Sequence, residues 1–250
     1  MVSAGQHGMV IRPKSRTPAD EYVHKGRTWI EGRENSNYVV DLTNQGVVRC
    51  MAVLSVDGLS VCDGQPASYA STGFVIKPGE TVTVPGWLVN NATAAEFVFA
   101  SRKHSYAQHQ NNNENVGVIG AAWFVEHTVG HSVARTMPVT TVDQTWAKSS
   151  AMGPVAVCAS AHLTLPTQFS NHVQSMGTGF GEATQFATSN TVFVRSSSKP
   201  VAVSLIYYDS ATNLQKMGIQ MRSRAKHAPD AFPMDSGYCK PPPKWAARRW

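Results

Sequence analysis

The chain has 250 residues, of which 42% are hydrophobic and 15% are charged. This composition supports a substantial core and excludes an intrinsically disordered chain. No run of 18 apolar residues occurs, and residues 1–20 lack the apolar stretch of a secretory signal, so the sequence predicts neither a membrane span nor a signal peptide.

The net charge of +6 is distributed unevenly along the chain. Residues 1–33 carry six Lys or Arg against three acids, and residues 222–250 carry seven against two, whereas residues 34–221 carry nine against eleven. We therefore predict a basic N-terminal arm (1–33), a body (34–221) and an extended, basic, Pro-rich C-terminal arm (222–250). Clustered Lys and Arg at the two ends suit an acidic partner surface.

Short runs rich in β-branched and aromatic residues follow one another through the body and are separated by turn dipeptides such as Asp57-Gly58 and Pro78-Gly79. The pattern predicts an all-β fold, an antiparallel β-sandwich or jelly-roll-like body, rather than alternating strands and helices. The predicted strands are Tyr38–Leu42, Val47–Val56, Gly73–Ile76, Thr81–Val84, Glu96–Ala100, Val116–Glu126, Val155–Leu163, Thr191–Arg195 and Val201–Tyr208.

Three stretches interrupt this rhythm. Ser101–Asn115 is polar and Asn-rich, which predicts an exposed loop. Residues 127–153 lack clean alternation, which leaves open whether the body is one unit or two halves that separate there. Gly177–Gly181 (GTGFG) has no following Lys-Ser/Thr, so a glycine-rich bend is a better interpretation than a phosphate-binding loop.

The C-terminal part of the sequence contains one predicted helix, Ser210–Met217, which Asp209 would cap at its N-terminus and Gly218 at its C-terminus. The tail that begins at Pro229 combines prolines, aromatics and arginines, and it is predicted to run extended. Large apolar rings at Trp245 and Trp250 would be costly to leave in water, so we expect them to enter a partner's pocket.

Two segments of the chain resemble uncharacterised β-rich proteins encoded in bacterial and phage genomes. The matching elements are R-x-x-x-V-x-S-V-D-G-x-x-V-x-x-G at Arg49–Gly64, G-[YF]-V-[IL]-x-P-x-[ES] at Gly73–Glu80, and the stretch Gly177–Ile219 with Y-D-S-x-x-N-L-x-x-x-G-[IV] at Tyr208–Ile219. The resemblance implies a β-rich fold and supplies no activity. The chain departs from it at Leu88, where relatives often carry Arg, and at Phe180, where they often carry His.

Catalytic and metal-binding patterns are weak. The four cysteines (Cys50, Cys62, Cys158, Cys239) are far apart and are predicted to be free thiols. His127 and His131 lack the helix and the glutamate of a zincin motif, and the G-x-S-x-G nucleophile elbow is absent. A hydrolase built on a carboxylate pair among Asp41, Asp57, Glu96 and Glu126 ranks last. We expect a protein that is not an enzyme and uses no cofactor or metal.

These features favour a virion structural protein, in particular a phage capsid decoration or cement protein whose arms clamp neighbouring subunits. The expected partner is the major capsid protein or another virion protein, with a homo-oligomer, no membrane and little role for nucleic acid. It would be made in the host cytoplasm and lie on the capsid surface. The residues predicted to bind the partner are Arg12, Lys14, Arg16, Trp245, Arg248, Arg249 and Trp250.

A second function class is a carbohydrate- or surface-binding adhesin module. Tyr106 lies beside the amide-rich run Gln108–Asn113, and an exposed ring flanked by amides is suited to stacking on a sugar.

Overall fold

In the computed structural model, the described residues form two β-sheets of seven strands each, packed face to face. The structure describes residues 2–4, 7–14, 18–112, 114–127 and 174–222. The strand pairings among these residues are antiparallel except one, in which the strand Arg27–Glu31 runs parallel to the strand Ala202–Asp209. The prediction of an all-β sandwich is confirmed.

The first sheet, sheet A, has the order β1-β2-β5-β11-β10, with β9 paired to β5 and β13 paired to β11. Its strands are β1 (Val2–Ala4), β2 (His7–Pro13), β5 (Asn37–Asn44), β9 (Thr81–Val84), β10 (Gly86–Leu88), β11 (Thr93–Ser101) and β13 (Met176–Gln185).

The second sheet, sheet B, has the order β3-β4-β14-β12-β6-β7, with β8 paired to β6. Its strands are β3 (Glu21–His24), β4 (Arg27–Glu31), β6 (Cys50–Val56), β7 (Leu59–Ser60), β8 (Phe74–Ile76), β12 (Val118–Val125) and β14 (Ala202–Asp209). Helices α1 (Tyr106–His109) and α2 (Ala211–Lys216) and a 3₁₀ turn (Arg102–His104) complete the described elements.

The main core lies between the sheets and follows the period-2 alternation of the strands. In β6, Leu54 and Val56 point into this core, whereas Met51 and Val53 belong to a smaller cluster on the outer face of sheet B. The chain after β13 covers that cluster: Phe193 packs against it, and the Arg195 guanidinium lies 4.2 Å from the centre of the Phe124 ring. Sheet B is thus partly buried on both faces.

Residues on both sides of the predicted break at 127–153 belong to the same sheets. Strand β13 pairs with β11 in sheet A, and β14 lies between β4 and β12 in sheet B. The described residues therefore form one sandwich, and the predicted strand Val155–Leu163 lies outside them.

The prediction of an N-terminal arm over residues 1–33 is wrong for the described part of that range. Strand β2 pairs along its whole length with β5, and Met9 and Ile11 are buried in the main core. Strands β3 and β4 form the edge of sheet B, with Trp29 buried in a cluster under α2. The apolar triplet Met-Val-Ile at 9–11 supplies this burial, and it outweighs the flanking charges on which the prediction rested.

Local differences from the predictions have simple causes. Ser101–Asn115 is not a plain exposed loop, because its 3₁₀ turn and α1 bury Ser105 and Ala107 against β13. Thr191–Arg195 is not a strand; Arg195 forms a single bridge to Glu126 at the end of β12. The N-cap of α2 is Ser210, whose hydroxyl accepts from the Asn213 amide, rather than Asp209.

Candidate functional site

Two of the residues predicted to bind a partner, Arg12 and Lys14, are engaged within the body. Arg12 forms a bidentate ion pair with Asp41, and Lys14 forms an ion pair with Glu96. Both pairs lie on the outer face of sheet A. The hydrogen bond to Asp41 raises the pKa of Arg12 further. The positive charge of these two side chains is largely neutralised in the fold. Arg16, Trp245, Arg248, Arg249 and Trp250 lie outside the described residues.

A fully buried carboxylate, Asp57, is the centre of a polar network between the sheets. Its Oδ1 accepts from the Gly117 amide at 2.8 Å and from the Tyr208 hydroxyl at 2.6 Å, and its Oδ2 accepts from the Thr178 amide at 2.7 Å. Burial raises the pKa of Asp57 to about 6 against the opposing effect of these donors. The donors to this carboxylate among the described residues are all neutral.

The network continues from Asp57 across the core to sheet A. The Thr178 hydroxyl lies 2.8 Å from the Tyr208 hydroxyl and 2.7 Å from the Tyr38 hydroxyl. Asp57 and Tyr208 come from sheet B, whereas Thr178 and Tyr38 come from sheet A. Because all four side chains are buried and hydrogen-bonded, the network joins the sheets at a fixed register.

A second buried carboxylate, Asp209, organises the start of α2. It accepts from the Ser175 hydroxyl at 2.7 Å, from the Ser210 amide at 2.7 Å and from the Asn213 side-chain amide at 3.3 Å. Gly218, with φ of +86°, ends the helix. The Y-D-S-x-x-N element therefore has a folding role: its tyrosine serves the Asp57 network and its Asp, Ser and Asn fix the helix start.

The other recurring motif positions are explained by turns and close packing. Asp57 and Gly58 both have positive φ, +52° and +78°, as the two-residue turn between β6 and β7 requires. A Cβ on Gly64 would lie 2.6 Å from the Tyr106 hydroxyl oxygen. Arg49 donates to the Glu126 carboxylate at 2.7 Å and to the Val192 carbonyl at 2.9 Å, which ties the segment after β13 to sheet B.

The GTGFG segment lies inside strand β13 rather than in a bend. Alternate glycines face the 3₁₀ turn, α1 and β11: a Cβ on Gly177 would lie 2.5 Å from the Ser105 Cβ, and one on Gly181 would lie 2.6 Å from a Val98 methyl carbon. The glycines allow neighbouring elements to approach this strand closely. This packing explains the motif without an anion.

The residues considered for hydrolysis or metal binding do not form a shared centre. Asp41, Glu96 and Glu126 each pair with a different cation, and Asp57 is enclosed by neutral donors. In the part of the chain that the structure describes, no group of three or more His, Cys, Asp or Glu is arranged to hold a metal. His131 lies outside that part.

Cys50 and Cys62 are free thiols, and burial raises their pKa values to about 12 and about 11. Such thiols are poor nucleophiles at neutral pH. Cys158 and Cys239 lie outside the described residues. Among the described helices, none is long and apolar enough to cross a membrane.

Sequence reasoning recognised Tyr106 but not the ring cluster in which it lies. Its ring centre is 4.9 Å from that of Trp87 and 5.1 Å from that of Phe180. The Phe180 residue is 52% exposed, so the cluster is accessible to solvent at this ring. Both positions at which the chain departs from the resemblance, Leu88 and Phe180, lie at or beside this cluster. Phe180 lies on β13, which pairs only with β11 among the described strands and so forms an edge of sheet A. The three rings, Trp87, Tyr106 and Phe180, are therefore called the aromatic edge below.

Comparisons with protein-family models, with curated proteins and with solved structures gave no match to this chain.

Proposed function

We propose that this protein is a structural component of a virion, a capsid decoration or cement protein that attaches through its C-terminal segment and acts as a homo-oligomer on the capsid surface. The partner is the major capsid protein or another virion protein. Catalysis has no part in this function.

The observation that carries the proposal is a difference in charge pairing between the basic residues at the two ends of the chain. At the N-terminal end, Arg12, Lys14 and Arg33 are paired with Asp41, Glu96 and Glu31 within the sandwich. Residues 222–250 carry seven Lys or Arg against two acids, a net charge of +5 in 29 residues. One of the seven, Arg222, pairs with Asp20 of the body at 3.6 Å. The rest of the segment still carries six Lys or Arg against two acids, and attraction to an acidic particle surface follows from this charge.

The chemistry of the body agrees with an assembly role. Three carboxylates are buried among the described residues, Asp57, Glu96 and Asp209, and each accepts hydrogen bonds from groups of the fold, which favours a structural role for all three. The buried hydrogen bonds between the two sheets make the sandwich a rigid body, which suits a protein that attaches through a terminal segment. Trp245 and Trp250 supply the anchors, and Arg248 and Arg249 supply the electrostatic attraction.

The test is binding of the purified full-length chain to virions that lack it, measured by co-sedimentation. Replacing Trp245 and Trp250 together with Ala should lower occupancy at least tenfold while leaving the melting temperature of the body unchanged. Replacing Arg248 and Arg249 with Gln should weaken binding at low salt and have little effect at high salt, because salt screens exposed charges.

The matched control for charge is the Lys199→Gln, Lys216→Gln variant, which removes two exposed cations from the body. It should bind like the unaltered chain. Full occupancy by the double tryptophan variant would refute attachment through the C-terminal segment.

A further inference from the structure

The aromatic edge combines one solvent-exposed ring with two rings that hold it in position. Phe180 is the exposed ring, and its inner neighbour Tyr106 is packed between it and Trp87. Trp87 is buried and donates from its indole nitrogen to the Gly179 carbonyl at 3.1 Å, one residue before Phe180. The exposed Phe180 ring is therefore held in position by its contact with Tyr106 and by the hydrogen bond from Trp87 to the residue before it.

The position of Tyr106 is fixed from several sides. Ser105 caps α1 by accepting from the Gln108 amide at 3.2 Å, and this sets the start of the helix that carries Tyr106. Gly64 leaves room for the Tyr106 hydroxyl, because a Cβ there would lie 2.6 Å from that oxygen. The Gln110 side-chain amide donates to the same hydroxyl at 3.0 Å. A phenol and a primary amide thus stand together at the rim of the rings.

This set of groups matches the surface of a sugar. One face of a pyranose presents C–H groups that pack on an aromatic ring, and its rim presents hydroxyls that both donate and accept hydrogen bonds. Phe180 supplies a ring face, while the Tyr106 hydroxyl and the Gln110 amide are neutral groups with both donor and acceptor capacity. Binding sites commonly combine an aromatic lining with a few placed polar groups in this way.

We propose that the aromatic edge is a carbohydrate-binding site, in which a neutral sugar residue stacks on Phe180 and hydrogen-bonds to Tyr106 and Gln110. The site uses described residues of the body and does not depend on the C-terminal segment. Attachment to a particle and glycan binding are therefore separable properties of one chain, as a surface protein that contacts a host glycan would require.

The experiment applies the full-length protein to an array of immobilised neutral and acidic oligosaccharides, and then titrates the strongest binder free in solution. Phe180→Ala should weaken binding at least tenfold, because the stacking surface is lost. Gln110→Ala and Tyr106→Phe should each weaken it about threefold, since each removes a single rim group.

Tyr69→Ala is the matched control, because Tyr69 is another exposed ring, 42% accessible, on the outer face of sheet B against Phe124. It should bind glycan like the unaltered chain. The Trp245→Ala, Trp250→Ala variant should also keep full glycan binding, which separates this proposal from the one on particle attachment.

Three outcomes would overturn the proposal. The first is that the folded, full-length protein gives no signal on the array. The second is that Phe180→Ala binds glycan as well as the unaltered chain does. The third is that Tyr69→Ala loses as much glycan binding as Phe180→Ala does. Loss of virion occupancy in Phe180→Ala without any glycan signal would assign the rings to protein docking and would equally refute carbohydrate binding.

Discussion

Two buried carboxylates of this sandwich are stabilised in opposite ways. Asp57, at the turn between β6 and β7, is fully buried and accepts from amides and a tyrosine hydroxyl. Glu96, on the outer face of sheet A, is 5% exposed and accepts from Lys14 and the Asn37 side-chain amide. Neutral donors surround the first, whereas a cation pairs with the second.

The difference shows how the chain uses its charges. The Asp57 network contains residues from both sheets, so it resists sliding of one sheet over the other. The Arg12–Asp41 pair links β2 to its neighbour β5, and Lys14, which follows β2, pairs with Glu96 on β11. Both cations remain partly exposed to solvent. We therefore expect substitutions in the interior network to cost more stability than substitutions on the outer face, because water screens exposed pairs.

Asp57→Asn should produce the largest effect, a loss of about 3 kcal/mol in the free energy of unfolding, because the new amide NH₂ faces backbone donors in the core. Urea denaturation measures it. Asp63→Asn is the matched control, since Asp63 occupies the other Asp-Gly turn but is exposed. It should change stability by less than about 0.5 kcal/mol. Equal losses in the two variants would contradict the role given to Asp57.

The two buried tyrosines of the network should differ in cost. Tyr208→Phe removes a donor to a carboxylate and should cost about 2 kcal/mol, whereas Tyr38→Phe removes a hydrogen bond to the Thr178 hydroxyl and should cost about 1 kcal/mol. Urea denaturation of both variants at pH 7 gives the comparison. A larger loss for Tyr38→Phe would mean that Thr178, rather than Asp57, is the centre of the network.

The two carboxylates should also respond to pH in opposite directions. The folded-state pKa of Asp57 is about 6, above an unfolded value of about 3.9, so its contribution to stability declines as pH rises from about 4 to 6. Burial opposes the shift at Glu96, but hydrogen bonds from Lys14 and Asn37 hold its pKa below the usual value of about 4.5, so its contribution is present above that pH and is lost as pH falls below it.

Denaturation of Asp57→Asn and Glu96→Gln across pH 3 to 7 separates these contributions. The first variant should lose the decline between pH 4 and 6, and the second should lose part of the drop at acid pH. An unchanged pH profile in Asp57→Asn would show that Asp57 does not titrate in that window.

Lys14→Met should have the smallest effect, about 1 kcal/mol or less, because the Lys14 side chain is 55% exposed and Glu96 keeps its hydrogen bond from Asn37. Thermal denaturation at low and high salt measures the loss, which should shrink as salt rises. A salt-independent loss above about 2 kcal/mol would place Lys14 among the residues essential to the fold.

The sequence predicted the β-sandwich class because alternation and turn dipeptides are local signals. Asp57-Gly58 was recognised as a turn for the same reason, and Ser210–Met217 as a helix. The role of Asp57 as the centre of a network was not predictable, because its partners at 117, 178 and 208 come together only after the sheets pack.

The error about the N-terminal arm came from giving charge more weight than apolar pattern. Arg12 and Lys14 suggested an arm, although Met9, Val10 and Ile11 between them and the N-terminus provide a buried strand. One feature of the sequence indicated the aromatic edge, namely the position of Tyr106 beside an amide-rich run. Phe180 could not be joined to it from sequence, because the two residues are 74 positions apart and meet only through strand pairing.

The most direct test of the proposed function is quantitative mass spectrometry of density-purified virions from a strain that produces this protein. We expect the chain in many copies per particle, at a fixed ratio to the major capsid protein that persists through repeated purification. A chain abundant in the lysate but absent from the purified virions would contradict a structural role in the particle.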